Sequence, residues 1–403
     1  MNERVTVGTD TEFIRYLKAH GGETMKKCFQ CATCTVACSL SPERNAFPRK
    51  EMIDAGWGLK DKLIGDPDIW LCHGCMDCSR QCPRGARPAD LLGAIRSFIY
   101  KTFSVPKFMG EALSSPKYLL GLFILPVIII FALVLITNTI VHGGDMKLFS
   151  ARGEIIAYAD FIHKLAIEGL FIPGNLLIFA LAAIGLKRYW DAMKKQYPDK
   201  PKIGFIAAAW QVKTDFLMHR KFDQCGNNSN RYYGHIYTFY GFLGTMIATG
   251  LVVVGEFYHY GHLYDIPFLM SISFYLPYPM GLMHPVKILG MVSGVFLFIG
   301  VVLFIVRRIK QQEREGINTY NDWLFLWVLC SIAFTGIGIV LLRMILPIDL
   351  AFIAYSVYFI HLVLVFFLLW YMPYSKFGHM VYRLLGLIFL KMHGRDSRDD
   401  VYN

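Results

Sequence analysis

Charge is scarce in this 403-residue chain: Asp, Glu, Lys and Arg make up 18% of it, against 55% hydrophobic residues. Mean hydropathy is +0.40. That balance excludes a disordered chain and argues against a wholly soluble one. A Rossmann glycine motif is missing, so no flavin or nicotinamide site is expected on this chain itself. The first residues, MNERVTVGTDTEF, hold neither an apolar export segment nor a twin arginine. Cysteine is absent from 83 to 224, and eight of the ten cysteines stand before that gap. Acidic residues number 30 against 41 basic, a net charge of +11. Such an excess can signal nucleic acid. Here the basic residues gather between apolar runs, as in membrane proteins, and no nucleic-acid partner is expected.

What is abundant is apolar sequence. Six stretches approach the ~20 residues that cross a bilayer: 118–141, 163–186, 235–257, 286–306, 323–346 and 350–372. The first, YLLGLFILPVIIIFALVLITNTIV, carries no charge. Basic residues crowd the 187–234 loop, the 307–322 loop and the tail after 372, whereas 258–285 holds no Lys or Arg. The positive-inside rule then puts both termini in the cytoplasm, as expected for a multi-pass protein of the cytoplasmic membrane. The short apolar stretch RLLGLIFLKMHG in the tail is too short to span and is expected along the interface.

Before these stretches stand two cysteine runs of one spacing, C-x2-C-x2-C-x3-C. They are Cys28, Cys31, Cys34, Cys38 and Cys72, Cys75, Cys78, Cys82, the second followed by Pro83 and the first by Ser39. This repeat is the bacterial ferredoxin pattern for two 4Fe–4S clusters, in which the fourth cysteine of each run serves the other cluster. Cluster one is therefore expected on Cys28, Cys31, Cys34 and Cys82, and cluster two on Cys72, Cys75, Cys78 and Cys38. Zinc sites favour paired C-x2-C units, and cytoplasmic disulfides are rare. Cys225 and Cys330 stand alone and read as free thiols. The flanks read helical: TDTEFIRYLKAHG with a Thr9–Glu12 capping box, PRKEMIDAG, and PADLLGAIRSFIYKTF. The expected fold is all-α, with an α-helical ferredoxin domain over 1–105, a linker over 106–117, a six-helix transmembrane haem b bundle over 118–378, and a tail over 379–403.

Of twelve histidines, His163, His235, His284, His361 and His379 lie in or at the ends of apolar stretches, where ionisable groups are functional candidates. His361 and His379 are 18 residues apart, five helical turns or about 27 Å along one face if the helix runs through Pro373. Two such imidazoles suit two stacked b haems. His235 is the expected partner of His379 for the inner haem, with Gly241 and Gly244 leaving room for the ring. For the outer haem, His163 is the preferred partner of His361, and His284 the other candidate. His219 is assigned to a cytoplasmic segment and given no role. His284 and Lys287, beside an aromatic loop free of Lys and Arg, also suit a quinone pocket; the alternative for Lys287 is an interfacial lysine reaching to water.

CFQCATCTVACSLSPERNAFPRKEMI, WLCHGCMDCSRQCPRGARPADLL and YSVYFIHLVLVFFLLWYMPYSKFGHMVYR closely resemble the membrane subunits of quinone-interacting membrane-bound oxidoreductase complexes of sulfate reducers. The resemblance covers almost the whole chain. Its soluble part is similar to the C subunit of heterodisulfide reductase. Its membrane part is similar to the E subunit of that enzyme and to the gamma subunit of respiratory nitrate reductase, whose last helix carries paired haem histidines at the spacing of His361 and His379. In the gamma subunit the other two ligands share one helix, ten residues apart; here Thr245 stands ten residues after His235.

The resemblance implies an electron-transfer subunit of a quinone-linked oxidoreductase. It would pass electrons between menaquinone and cytoplasmic flavoproteins related to the A subunit of heterodisulfide reductase, and through them to adenylylsulfate reductase. The alternatives are a quinol-oxidising subunit of another heterodisulfide-reductase-like complex and a membrane-anchored redox sensor.

Overall fold

The computed structural model describes residues 8–42, 45–149, 151, 155–219, 229–276, 278, 280–310, 316 and 319–395. Among these residues every regular element is helical. The N-terminal part contains α1 (Thr11–Leu17), α2 (Thr33–Ala37), α3 (Arg49–Gly56), α4 (Lys60–Ile64), α5 (Asp77–Arg80) and α6 (Pro88–Phe103). α1 is capped by Asp10, whose Oδ1 accepts from the Phe13 amide at 2.8 Å, and not by the expected Thr9–Glu12 box. A capping box does form at Thr319 and Asp322. Caps of this kind stabilise a helix end by about 1 kcal/mol.

The 106–117 stretch is not an extended linker. It holds α7 (Lys107–Leu113), and Leu113 is buried with the apolar helices. Those helices are α8 (Leu119–Val141), α9 (Lys164–Gln196), α11 (Ser229–Leu263), α12 (Pro285–Lys310), α13 (Tyr320–Ile345) and α14 (Ala351–Tyr371), with α10 (Phe205–Met218) between α9 and α11. Among the described residues six helices are thus long and apolar enough to cross a membrane. α9 has 33 residues, about 50 Å of helix, more than the ~30 Å of a hydrocarbon core. Its surplus enters the N-terminal part: Tyr189 and Met193 are buried in the core built by Phe13, Trp70 and Ile95.

α11 and α12 pack through glycines. A Cβ on Gly241 would collide with the Leu297 backbone, one on Gly244 with the Ser293 side chain, and one on Gly300 would meet the Thr238 amide at 2.5 Å. Small residues let membrane helices approach until their backbones touch. Gly241 and Gly244 were expected to make room for haem; they admit a neighbouring helix instead.

The last apolar helix stops at Tyr371. Short 3-10 turns at Met372–Tyr374 and Lys376–Gly378 follow, and α15 (His379–Met392) starts anew. His361 and His379 therefore do not lie on one continuous helix, and the expected five-turn alignment does not apply. Pro373 disfavours helix at the residue before it and lacks a backbone donor, which is the physical reason for the break. α15 is more than a surface helix. Tyr382, Phe389 and Leu390 enter the N-terminal core, while Ile388 and Met392 pack on Ala208 and Val212 of α10. Trp70, 1% exposed, sits where the parts meet, its ring centroid 5.8 Å from that of Tyr100, 6.2 Å from Tyr189 and 6.0 Å from Tyr382. A Cβ on Gly386 would lie 2.7 Å from its ring.

Candidate redox centres

The two cysteine runs share one backbone path. Gln30 and Gly74 have φ of 58° and 65°, and Ala32 and Met76 have φ of 66° and 67°. The residue after each second cysteine thus adopts the left-handed region, where a side chain is disfavoured and strain is kept mainly for function. In both runs that residue's carbonyl accepts the third amide of a short helix, Thr35 N at 2.9 Å and Ser79 N at 3.0 Å. The helices, α2 and α5, pack against each other, and Cys34 and Cys78 share one buried patch with Met76 and Ala89.

Burial pushes the Cys34 thiol up to about 11, with the nearby Cys28 and Cys31 thiols adding repulsion. Burial likewise raises Cys38 to about 12, and its thiol neighbours are Cys72 and Cys75, of the other run. Cys78 is raised well above its ordinary range by burial, then by Cys72, Cys75 and Cys38. Thiols of the second run thus act on Cys38, and Cys28, Cys38 and Cys82 all pack beside the shared core. Thiolates crowded in dry surroundings need a compensating positive centre, which cluster iron supplies. Around one zinc ion, with ligands at ~2.3 Å, thiolates lie within about 4 Å of one another. Among the described residues no three of these sulfurs lie within 4.8 Å of each other. Sulfur also receives nearby donors: Gly74 N to Cys72 Sγ at 3.2 Å and Gln30 Nε2 to Cys28 Sγ at 3.3 Å.

A buried acidic group, Glu51, Asp66 and Asp68, has the ligand spacing of a metal site, but cations of the chain already neutralise it. Lys50 Nζ lies 2.7 Å from Asp66 and 2.9 Å from Asp68, and Arg395 reaches Asp68 at 2.5 Å. Tyr197 donates to Asp66 at 3.1 Å. The network ties the end of α9 and the C-terminal tail to the N-terminal part.

A cleft opens where α10, α11, α15 and the N-terminal part meet. His235 and His379 both line it, with His219, Leu71, His73 and Arg383. Its walls combine apolar side chains such as Val212, Phe239 and Leu387 with imidazoles and cations. Those residues fit a b-type haem: paired imidazoles for iron, apolar faces for the ring, cations for its carboxylates. The His219 ring lies 4.5 Å from that of His235, centroid to centroid. His219 has φ of 55°, and its Nδ1 meets the Leu217 carbonyl at 2.8 Å. Its position after α10, outside any apolar run, hid it from the sequence reading.

At the far end of the bundle the expected ligands turn to different neighbours. The His361 Nδ1 lies 2.9 Å from the Thr335 Oγ1 of α13, and a Cβ on Gly336 would meet its ring at 3.1 Å. His163 stands at the N-cap of α9, its ring 6.0 Å from Tyr260 of α11. His284 accepts the Val286 amide at its Nδ1, 3.3 Å away, and so caps α12. Cys330 lies partly exposed in α13; Cys225 lies outside the described residues.

The 4Fe-4S dicluster domain family matches residues 24–86. The chain's N-terminal part is an iron–sulfur domain. It is similar over 89 residues, at 39% identity, to the C subunit of the H(2):CoB-CoM heterodisulfide,ferredoxin reductase of Methanothermobacter marburgensis, covering 22% of this chain and 48% of that one. A protein of Archaeoglobus profundus that is itself like the C subunit of heterodisulfide reductase is 29% identical over 114 residues, 28% of this chain and 61% of that one. The C subunit of the ferredoxin:CoB-CoM heterodisulfide reductase of Methanosarcina mazei is 31% identical over 97 residues, 24% and 59%. The chain thus spans about half the length of the curated relatives it matches. No solved structure matches it. Over its iron–sulfur part the chain is thus similar to the C subunit of heterodisulfide reductase.

Proposed function

We propose that this chain carries electrons between menaquinone in the cytoplasmic membrane and cytoplasmic flavoproteins related to the A subunit of heterodisulfide reductase, which serve adenylylsulfate reductase. In this reading Cys28, Cys31, Cys34 and Cys82 hold one 4Fe–4S cluster and Cys72, Cys75, Cys78 and Cys38 the other. His235 and His379 hold the inner haem b, His163 and His361 the outer one, and His284 and Lys287 face the quinone. Haem b supplies one-electron carriers between the two-electron quinone and the clusters.

One observation carries the reading. Leu71 and His73, the neighbours of Cys72, line the same cleft as His235 and His379. A carrier in that cleft would stand beside a cluster on one side and the apolar helices on the other. The relatives' names also favour a heterodisulfide-reductase-like assembly, and the flavoproteins that co-purify with the chain decide which complex it serves. The test is optical. The purified chain in lipid nanodiscs, given a menaquinol analogue, shows b-haem reduction and then cluster reduction by EPR. Absence of haem, or haem reducible by dithionite but never by quinol, overturns the proposal.

A further inference from the structure

At the end of the bundle remote from the iron–sulfur part lies a polar nest that no role above uses. Lys164 opens α9, and Glu168 follows one turn later on the same face. Tyr189, where α9 joins the N-terminal core, is 25 residues farther on, about 38 Å along the helix. Across from them, Glu256 of α11 meets Lys164 at 2.9 Å. Tyr278 hydrogen-bonds Lys164, whose ammonium also lies 4.5 Å from the centre of its ring.

Glu168 is 7% exposed and Glu256 6%, and the two carboxyls interact side chain to side chain. Yet neither oxygen of Glu168 meets a hydrogen-bond donor. Glu256 accepts from Lys164 and Tyr278, whereas the Glu168 carboxyl beside it is left without a donor. A proton shared between them is the missing partner, as where two carboxyls close together cannot both ionise. Lys164 pairs directly with Glu256, and Lys287 of α12 stands within electrostatic reach of Glu256.

We propose that the Glu168–Glu256 carboxyl pair, held by Lys164 as a positioning residue, is the proton-accepting station for quinol oxidation at this end of the bundle. The proposal rests on the quinone reading given above and deepens it. A quinol gives up two electrons and two protons. As an electron leaves for the chain's own carriers, a quinol O–H bond breaks and its proton joins the pair, which passes from one bound proton to two. The extra proton leaves to water at this end before the second hydroxyl follows. The electrons end on the flavoprotein partner. Lys287, already placed at the quinone, lies within electrostatic reach of Glu256, so the pair and the quinone site belong to one neighbourhood.

The experiment uses the full chain in lipid nanodiscs. Infrared difference spectra on adding a menaquinol analogue should show a carboxylic-acid carbonyl band that is lost in Glu168→Gln and in Glu256→Gln. In stopped-flow, Glu168→Gln should slow cofactor reduction by the quinol roughly tenfold or more, the lower range for a lost acid–base group. Cofactor content, reduction by dithionite and binding of a quinone-analogue inhibitor should stay as in wild type, and Glu168→Asp should recover part of the rate. Wild-type kinetics in Glu168→Gln, or no carboxylic band in the wild type, overturns the proton role while inhibitor binding leaves the quinone site standing. A wild-type chain that neither binds the inhibitor nor oxidises quinol overturns the quinone reading itself, and this proposal with it.

Discussion

Arg383 of α15 donates to the Nε2 of His73 at 2.6 Å. The pair spans 310 residues of sequence and joins the second cysteine run to the wall of the cleft that holds His235 and His379. Two more arginines grip the same loop: Arg96 donates to the Cys72 carbonyl at 2.9 Å and Arg231 to the Gly74 carbonyl at 2.5 Å. Gly74, with φ of 65°, keeps the loop low enough for Arg231 to pass, since a Cβ there would lie 3.3 Å from its guanidinium.

Three cations around one loop should stabilise the reduced, more negative state of the cluster beside it. Arg383→Gln should lower that cluster's reduction potential by about 30 mV or more, on the scale where 59 mV is tenfold for one electron. The other cluster should be unmoved. A redox titration followed by EPR reads both; equal shifts in the two would deny the local effect.

Crossed ligation makes the fourth cysteines report on opposite clusters. Cys82→Ser should damage the cluster of Cys28, Cys31 and Cys34, and Cys38→Ser that of Cys72, Cys75 and Cys78. EPR and iron content distinguish the two. Loss of the cluster in the same run as the substituted residue contradicts the crossing.

Four histidines line the inner cleft, His73, His219, His235 and His379, and the proposed ligands are two of them. His235→Ala and His379→Ala should each lower the haem count, read as pyridine haemochrome, by one per chain. His219→Ala should keep the full count. The reverse result for His219 and His379 would exchange their roles.

The glycine seam between α11 and α12 should tolerate no side chain. Gly241→Val pushes carbons into the Leu297 backbone and should cost ~1–3 kcal/mol or more, the range for overpacking. Thermal unfolding in detergent measures it. Gly250→Ala on the same helix, where nothing lies within 4 Å of an added Cβ, should be close to neutral.

Burial raises the Glu51 carboxyl to about 8 from its ordinary 4.5, with Asp66 and Asp68 pushing the same way against Lys50. Arg395 and Tyr197 complete the surrounding network. The folded state therefore binds this proton more tightly than the unfolded chain does. Its contribution to stability is full below about pH 4.5 and is lost as pH rises through about 8. Thermal midpoints of wild type and Glu51→Gln, compared across that window, should diverge in favour of the variant as pH rises. Parallel curves would show that Glu51 does not titrate there.

The sequence by itself determined the elements whose signal is local. Six apolar runs are legible because a bilayer imposes a minimum length on each. The repeated C-x2-C-x2-C-x3-C runs are legible because a cube needs three close thiolates and a distant fourth. Tertiary structure alone decided what depends on partners far along the chain. The spacing of His361 and His379 suggested one helix, but the break after Tyr371 sends His379 into the cleft beside His235. Gly241 and Gly244 were free on periodicity to face a cofactor, and the close approach of α12 claimed them. His219 carried no pattern at all until the end of α10 brought it to His235. Glu168 and Glu256, 88 residues apart on two apolar helices, became a pair only because α9 and α11 bring them to one place, where Lys164 binds Glu256. A periodic pattern names the face of a helix; which neighbour meets that face is set by how all the helices pack at once.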